Sequence, residues 1–400
     1  MTHLSASSLT SIHVIMAVSL PASAADVARM HLLEGVNAYP RAVSSAGETA
    51  VGSIGNGPHR AVRWTAKATP LEYPNSPLFA SGSIASAVSS DGSVAVGGMF
   101  GSAGSSAAAM WDQIGVQTLW SGGVAHAVDA TGRTVVGNRD IDPGAPFINR
   151  AVRWTVANGP QDLHVPLGFE NSEVSDVSDS GLVIVGNVYN EGTPRQPVLW
   201  GPGDTITLLP SIEGASDLRA QCVSGNGLVV ALMVRRAGDF SCVLWDAING
   251  YREIVTTHRF QPSAISFDGS VVVGDNGGSN VYRWELTSGI RPLLNDLAES
   301  GADTSGWSSL SDATGLSRDG RWIAGRGIYR GQSSGFLAFS PLECIGDLFP
   351  NGTINGADLG IMLSEWGPAV GNTISDLNRD GSVDGADLGY LLANWGPCPN

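Results

Sequence analysis

An eleven-residue phrase, Ala-Val-Ser-x-x-Gly-x-x-Val-Val-Gly, recurs with variation seven times and constrains the fold of this chain more than any other feature. The copies begin Ala42-Val43-Ser44, Ala87-Val88-Ser89, Ala127-Val128-Asp129, Asp176-Val177-Ser178, Cys222-Val223-Ser224, Ala264-Ile265-Ser266 and Gly315-Leu316-Ser317. Their turn glycines, Gly47, Gly92, Gly132, Gly181, Gly227, Gly269 and Gly320, are 45, 40, 49, 46, 42 and 51 residues apart. A supersecondary unit of this size cannot bury its apolar face alone, so the copies must stack on one another.

Each copy supplies short strands. Dipeptides such as Asp91-Gly92, Asp268-Gly269 and Asp319-Gly320 mark tight turns, and β-branched runs such as Val271-Val272-Val273 follow them. Third strands end at Trp64, Trp111, Trp154, Trp200, Trp245 and Trp284, with Phe339 in the last copy. A fourth apolar segment follows, for example Thr118-Leu119-Trp120, Leu163-His164-Val165, Thr207-Leu208-Leu209 or Pro292-Leu293-Leu294. The seventh copy lacks it, and Met30-His31-Leu32-Leu33, upstream of the first, has the missing pattern. The expected fold is mainly β, a seven-bladed β-propeller over residues 27–340 closed by its N-terminal strand, with a small α-helical domain after it. The 52 glycines and the low charged fraction of 15% suit many short strands and tight turns. The units resemble the HAF-type extracellular repeats, a likeness that implies fold and no particular chemistry.

A residue present in every unit points to packing before chemistry. The Trp series is therefore expected to wedge between blades, with Arg63, Arg153 and Arg283 beside it facing solvent. No Ser elbow, phosphate loop or paired-carboxylate motif appears, and the seven His show no metal-ligand spacing. A net charge of -15 with scattered Lys and Arg argues against a nucleic-acid partner. No apolar run reaches the length of a membrane span. An apolar stretch from Ile12 to Leu20 followed by Ala22-Ser23-Ala24 predicts a signal peptide over residues 1–24 and a secreted or cell-surface protein, although its start carries no Lys or Arg.

From Cys344 the character changes. Asp376, Asn378, Asp380, Asp384 and Asp387 stand at positions 1, 3, 5, 9 and 12 of a calcium loop, with Gly381 at the turn and the Ser382 carbonyl at position 7. A helix with Leu388, Leu391, Leu392 and Trp395 on one face follows. An earlier copy lies 29 residues upstream: Asp347, Asn351, the Thr353 carbonyl, Asn355 and Asp358, with Phe349 at position 3 where an oxygen is needed. The Ca²⁺ affinity is expected to rest on the second loop.

Two such units over residues 344–400 resemble a type I dockerin, which implies an EF-hand-like, calcium-dependent domain that binds a cohesin-like or cell-surface protein. The family's partner-contacting loop positions are here Gly356, Ala357, Gly385 and Ala386. Its helical basic pair is replaced by Leu363-Ser364 and Leu392-Ala393. Cys344 and Cys398 bracket the module, so a bridge between them would clasp its ends, worth about 4 kcal/mol in the loop-entropy account. Cys222 and Cys242 fall on first and third strands of one unit, roughly 9 to 10 Å apart in a meander and out of disulfide reach.

These features predict a secreted binding and display protein whose propeller recognises an extracellular ligand such as a glycan and whose C-terminal module tethers it. The alternative is a polysaccharide-degrading hydrolase or lyase carried on the propeller with the same tether.

Overall fold

The computed structural model describes residues 28–398, apart from 66–67, 72–80, 142–147, 255–258, 279, 287, 342–345, 350–352, 370–372, 374 and 378–381. Seven four-stranded antiparallel sheets form the blades of a β-propeller. Six blades are plain meanders, the first running Tyr39–Val43, Ala50–Ile54, Arg60–Trp64 and Ala68–Pro70. The seventh takes Trp307–Leu316, Trp322–Tyr329 and Gln332–Phe339 from the C-terminal end and Arg29–Leu32 from the N-terminal end. Arg29 pairs with Phe339 and Leu32 with Phe336, so the edge that the shortened last unit would expose is filled by the other end of the chain.

The repeated phrase encodes one local structure. The Ser after Ala-Val is buried and its hydroxyl accepts the N–H five residues on, as Ser89 does from Val94 (3.0 Å) and Ser266 from Val271 (3.0 Å). The same hydroxyl donates to the turn acid, Ser89 to Asp91 at 2.6 Å and Ser266 to Asp268 at 2.8 Å. The turn glycine has φ near +75°, and it also touches the preceding blade: a Cβ on Gly47 would fall 2.2 Å from the Trp322 indole. The motif therefore fixes a turn and a blade-to-blade spacing together.

The last glycine of the phrase answers a second demand. Every innermost strand carries a β-bulge before its Ala-Val position, from Pro40/Ala42 in blade 1 to Ala313/Gly315 in blade 7. Opposite the bulge the backbones come so close that a Cβ on Gly137 would lie 2.1 Å from the Val124 carbonyl oxygen. Blade 5 carries Leu232 at this place, and nothing in the structure explains the exception.

The core is divided into wedges between neighbouring blades, such as Val51, Ala61, Ala95, Met99 and Trp111 between blades 1 and 2. Trp64, Trp111, Trp154, Trp200 and Trp284 are buried, Trp245 half-buried, and the indole N–H of Trp64 donates to the Glu34 carbonyl at 2.8 Å. The expected solvent-facing Arg row is corrected. Arg63 and Arg153 are half-buried, and Arg283 is fully buried, paired with Glu285 at 2.7 Å and Asp296 at 3.5 Å. Asp296 comes from α1, Leu293–Glu299, a helix where the sequence pattern predicted only the end of a fourth strand. Such a charge is tolerable inside only because both carboxylates and the Ser340 hydroxyl (2.5 Å) surround it.

The C-terminal segment holds α2, Gly356–Ser364, and α3, Gly385–Ala393. Each starts with a capping box, Asn355 with Asp358 and Asp384 with Asp387. Thr353–Ile354 pairs with Gly396–Pro397 and Gly367–Pro368 with Ser382–Val383, around a core of Ile354, Met362, Leu377, Val383 and Leu391. The apolar stripe expected on each helix splits: Met362 and Leu391 are buried, whereas Leu363, Leu392, Trp366 and Trp395 stay about half exposed. No described helix is long and apolar enough to cross a membrane.

Candidate functional site

The seven bulges project into one place. The residues left unpaired by them, Arg41, Ser86, His126, Ser175, Gln221, Ser263 and Thr314, all line a central channel of about 240 Å3. All seven are polar, yet only Ser recurs among them. A bulge turns an extra side chain away from the ladder, which is why the channel carries this polar girdle beside the Ala and Val of the repeated phrase.

At the turn end the blades are laced by backbone bonds. Ser45 N–H donates to Ser90 O (3.0 Å), Ser90 to Ala130 (3.0 Å), Ala130 to Asp179 (3.1 Å), Asp179 to Gly225 (3.0 Å) and Phe267 to Arg318 (2.8 Å). Across this mouth Arg318 of blade 7 reaches Asp179 of blade 4 at 2.9 Å, its guanidinium 3.9 Å from the centre of the Phe267 ring. Gly225 leaves room for them, since a Cβ there would lie 2.5 Å from the Phe267 ring and 2.9 Å from the Asp179 carboxylate.

Two titrating groups stand out in the lining. Asp176 occupies the position that is Ala in four other copies, and its oxygens accept the N–H groups of Val177 (2.8 Å) and, in the next blade, Val223 (3.0 Å). It keeps some contact with the channel, but the channel lies deep in the ring. Burial therefore pushes its carboxyl up to about 7, against the pull of the two amides and with help from Asp179. His126 is pushed down to about 4 by burial and by the charge of Arg41. Desolvation also raises Asp179, with Arg318 opposing and Asp129 reinforcing. Cys222, also in the lining, has its thiol raised well above the ordinary range by burial, Asp176 and Cys242; both cysteines are free.

The calcium-loop residues fall in two groups. Asn351, Asn378 and Asp380 lie outside the described residues, as do Gly381, Cys344 and the segment 1–24 expected to be a signal peptide; Cys398 is disulfide-bonded. Among the described ones, Asp358 and Asp387 are buried, and each ties a loop to its helix through two backbone amides. Phe349 and Asn355 donate to Asp358 (both 2.8 Å), and Leu377 and Asp384 donate to Asp387 (2.7 and 2.8 Å). Asn355 and Asp384 cap their helices on Ala357 and Ala386 at 2.8 Å. In the first loop the Asn355 amide also donates to the Thr353 carbonyl (2.9 Å), so two oxygen-bearing groups of that loop engage each other. The Asp384 side chain has no N–H to do the same. The donor set of hard oxygens suits Ca²⁺, better in the second loop. Among the described residues no group of three or more His, Cys, Asp or Glu is placed to hold a metal ion; Asp347 and Asp376 stand at the starts of their loops, and Ser382 opens the short strand Ser382–Val383.

No protein-family model and no curated protein matches the sequence. Solved structures do. An oligogalacturonate lyase in complex with manganese shares 15% identity, covers 78% of this chain and 91% of its own, and superposes with a TM-score of 0.52. TolB from Acinetobacter baumannii shares 15% identity over 60% of this chain, which spans 62% of TolB, with a TM-score of 0.43. The first likeness supports the propeller fold and nothing finer.

The bulge girdle was not anticipated from the sequence. Its only signal there is the residue before each Ala-Val, polar in every copy and different in most.

Proposed function

We propose that the chain is a binding and display protein whose propeller takes a small polar ligand, the end of an extracellular glycan, into the central channel. The observation that carries this is the girdle itself. A closed scaffold holds seven polar side chains on one circle, and Arg41, Ser86, Gln221 and Ser263 have no side-chain hydrogen-bond partner among the described residues. Their donors and acceptors are open to a ligand or to water, on a frame too rigid to collapse around them. The volume of about 240 Å3 suits a terminal sugar unit, since pockets for larger ligands run to roughly 300–1,000 Å3.

In this reading the protein is exported, and residues 344–400 form a dockerin-like calcium module that tethers it to a cohesin-like or surface protein. The paired capping boxes, the second loop's oxygen donors and the repeated half-exposed Leu363/Leu392 and Trp366/Trp395 support that part. A second reading, a glycan-cleaving enzyme, draws on Asp176, since a carboxyl that titrates near 7 has the property of a general acid. A panel of mono- and oligosaccharides assayed with the full chain for both binding and turnover separates them. Saturable binding without product supports the binding protein; turnover abolished by Asp176→Asn replaces it with the enzyme.

A further inference from the structure

The geometry points to a sugar acid, a small polyhydroxylated monocarboxylate, as the ligand of the channel, with its carboxylate on Arg41 and its hydroxyls on the remaining girdle. This rests on the binding reading above and adds its chemical class.

Arg41 is the central observation. Among the described residues it makes no ion pair and no side-chain hydrogen bond, and its Nε is buried without a partner. Its guanidinium lies 4.8 Å from the centre of the Tyr39 ring, which also carries Arg326 at 4.4 Å. Arg326 is neutralised by Asp312 at 2.9 Å; Arg41 is not. The ring contact leaves the guanidinium N–H groups without a hydrogen-bond partner among the described residues, and such a fork can grip a carboxylate with two parallel bonds. A cation held in a recess without a counter-ion is costly unless an anion or water joins it.

Next around the circle stand Ser86 and His126, and the tautomer of His126 follows from its neighbour. Asn138 Oδ1 accepts the Val174 N–H at 2.8 Å, which turns the amide nitrogen toward His126 Nε2 at 3.1 Å. An amide nitrogen only donates, so Nε2 accepts and the single ring proton sits on Nδ1. Blades 1 to 3 thus present a guanidinium, a hydroxyl and an imidazole N–H, all able to donate. The opposite side carries Asp176 and Asp179, with Asp129 in the same lining and Arg318 already engaged by Asp179. Those carboxylates repel a second negative charge, which favours a monoanion over a phosphate dianion. Gln221 and Ser263, without side-chain partners, meet the hydroxyls.

Calorimetric titration of the full chain at pH 8.5, where Asp176 is ionised and inorganic phosphate is a dianion, with glucuronate, gluconate and galactonate tests this, with glucose and inorganic phosphate as controls. At least one sugar acid should bind about tenfold or more tighter than glucose and than phosphate. Arg41→Gln should cost it about tenfold or more, the scale of losing a charge-assisted pair, and should cost any glucose binding clearly less. Arg41→Lys, which keeps the charge but not the fork, should lose less and guards against a misfolded Gln variant. Glucose bound as well as the acids, phosphate bound more tightly, or an affinity indifferent to Arg41 would overturn the sugar-acid assignment while the binding reading stands. No binding by any probe or by the wider saccharide panel would overturn both.

Discussion

Asp176 offers the most direct test of the channel's electrostatics. Its carboxyl, held at about 7 in the folded protein, ionises near its ordinary 3.8 once the chain unfolds. The folded state therefore holds the proton more tightly, and the stability this gives is complete below about 3.8 and is lost as pH rises through about 7. Moving a carboxyl that far corresponds to about 4 kcal/mol, of which somewhat more than half falls between pH 5 and 8.5. Water in the channel screens part of it, so about 2 kcal/mol is expected across that window. Asp176→Asn cannot ionise. It keeps one acceptor for Val177 or Val223 and forfeits the other, a loss of about 1 kcal/mol that does not vary with pH. Chemical unfolding of both proteins from pH 5 to 8.5 should show the variant gaining on the parent as pH rises, by about 2 kcal/mol over the range. A difference between them that is flat with pH, or that runs the other way, would refute the buried-acid account.

Three further outcomes follow from the packing and one from the C-terminal module. Gly137→Ala should cost about 3 kcal/mol and lower the melting temperature, because its Cβ meets the Val124 carbonyl oxygen at 2.1 Å and backbone must move. Removing residues 1–34 strips the outer strand Arg29–Leu32 from the last blade, and a truncated protein that melts like the parent would dismiss the closure. Arg283→Leu leaves Glu285 and Asp296 buried with less counter-charge, a loss of about 3–5 kcal/mol to be read by urea unfolding. Calcium titration of the full chain should show one dominant site, abolished by Asp376→Ala or Asp380→Ala and little changed by Asp347→Ala, since Asn355 already occupies the Thr353 carbonyl of the first loop.

How much of this the amino-acid order carried depends on the kind of position. Blade number, strand order and the N-terminal closure were legible because a seven-fold repeat states its period, and the unit missing a strand points to the segment that replaces it. The bulges were not, because a single extra residue leaves the alternation of apolar positions nearly intact. Arg283 misled for a related reason. Beside Trp in a half-exposed strand an arginine ordinarily faces water, and its burial depends on Asp296, thirteen residues on, in a helix where neighbouring units have only the end of a strand. Asp176 was visible as an acid in an Ala position, but its raised pKa comes from the depth of the channel, with help from Asp179 and against the pull of the Val223 amide, which are tertiary facts.

The repeat also explains why chemistry, if the channel has it, collects at the bulge residues. The Ala-Val-Ser segment, the turn glycine and the last glycine each meet a neighbouring strand or blade, so a change at any of them disturbs packing shared by two units. The bulged residue is released from its ladder and lines the channel. It is the one place in the unit where a side chain can vary at little cost to the fold. Seven copies have used that latitude to place a guanidinium, an imidazole, an amide and four hydroxyls on a single circle. A merely solvated channel could be lined by seven serines. The mixture of charges and donors, with Arg41 left without an ionic partner among the described residues, instead fits the recognition of one polar, singly charged molecule proposed above.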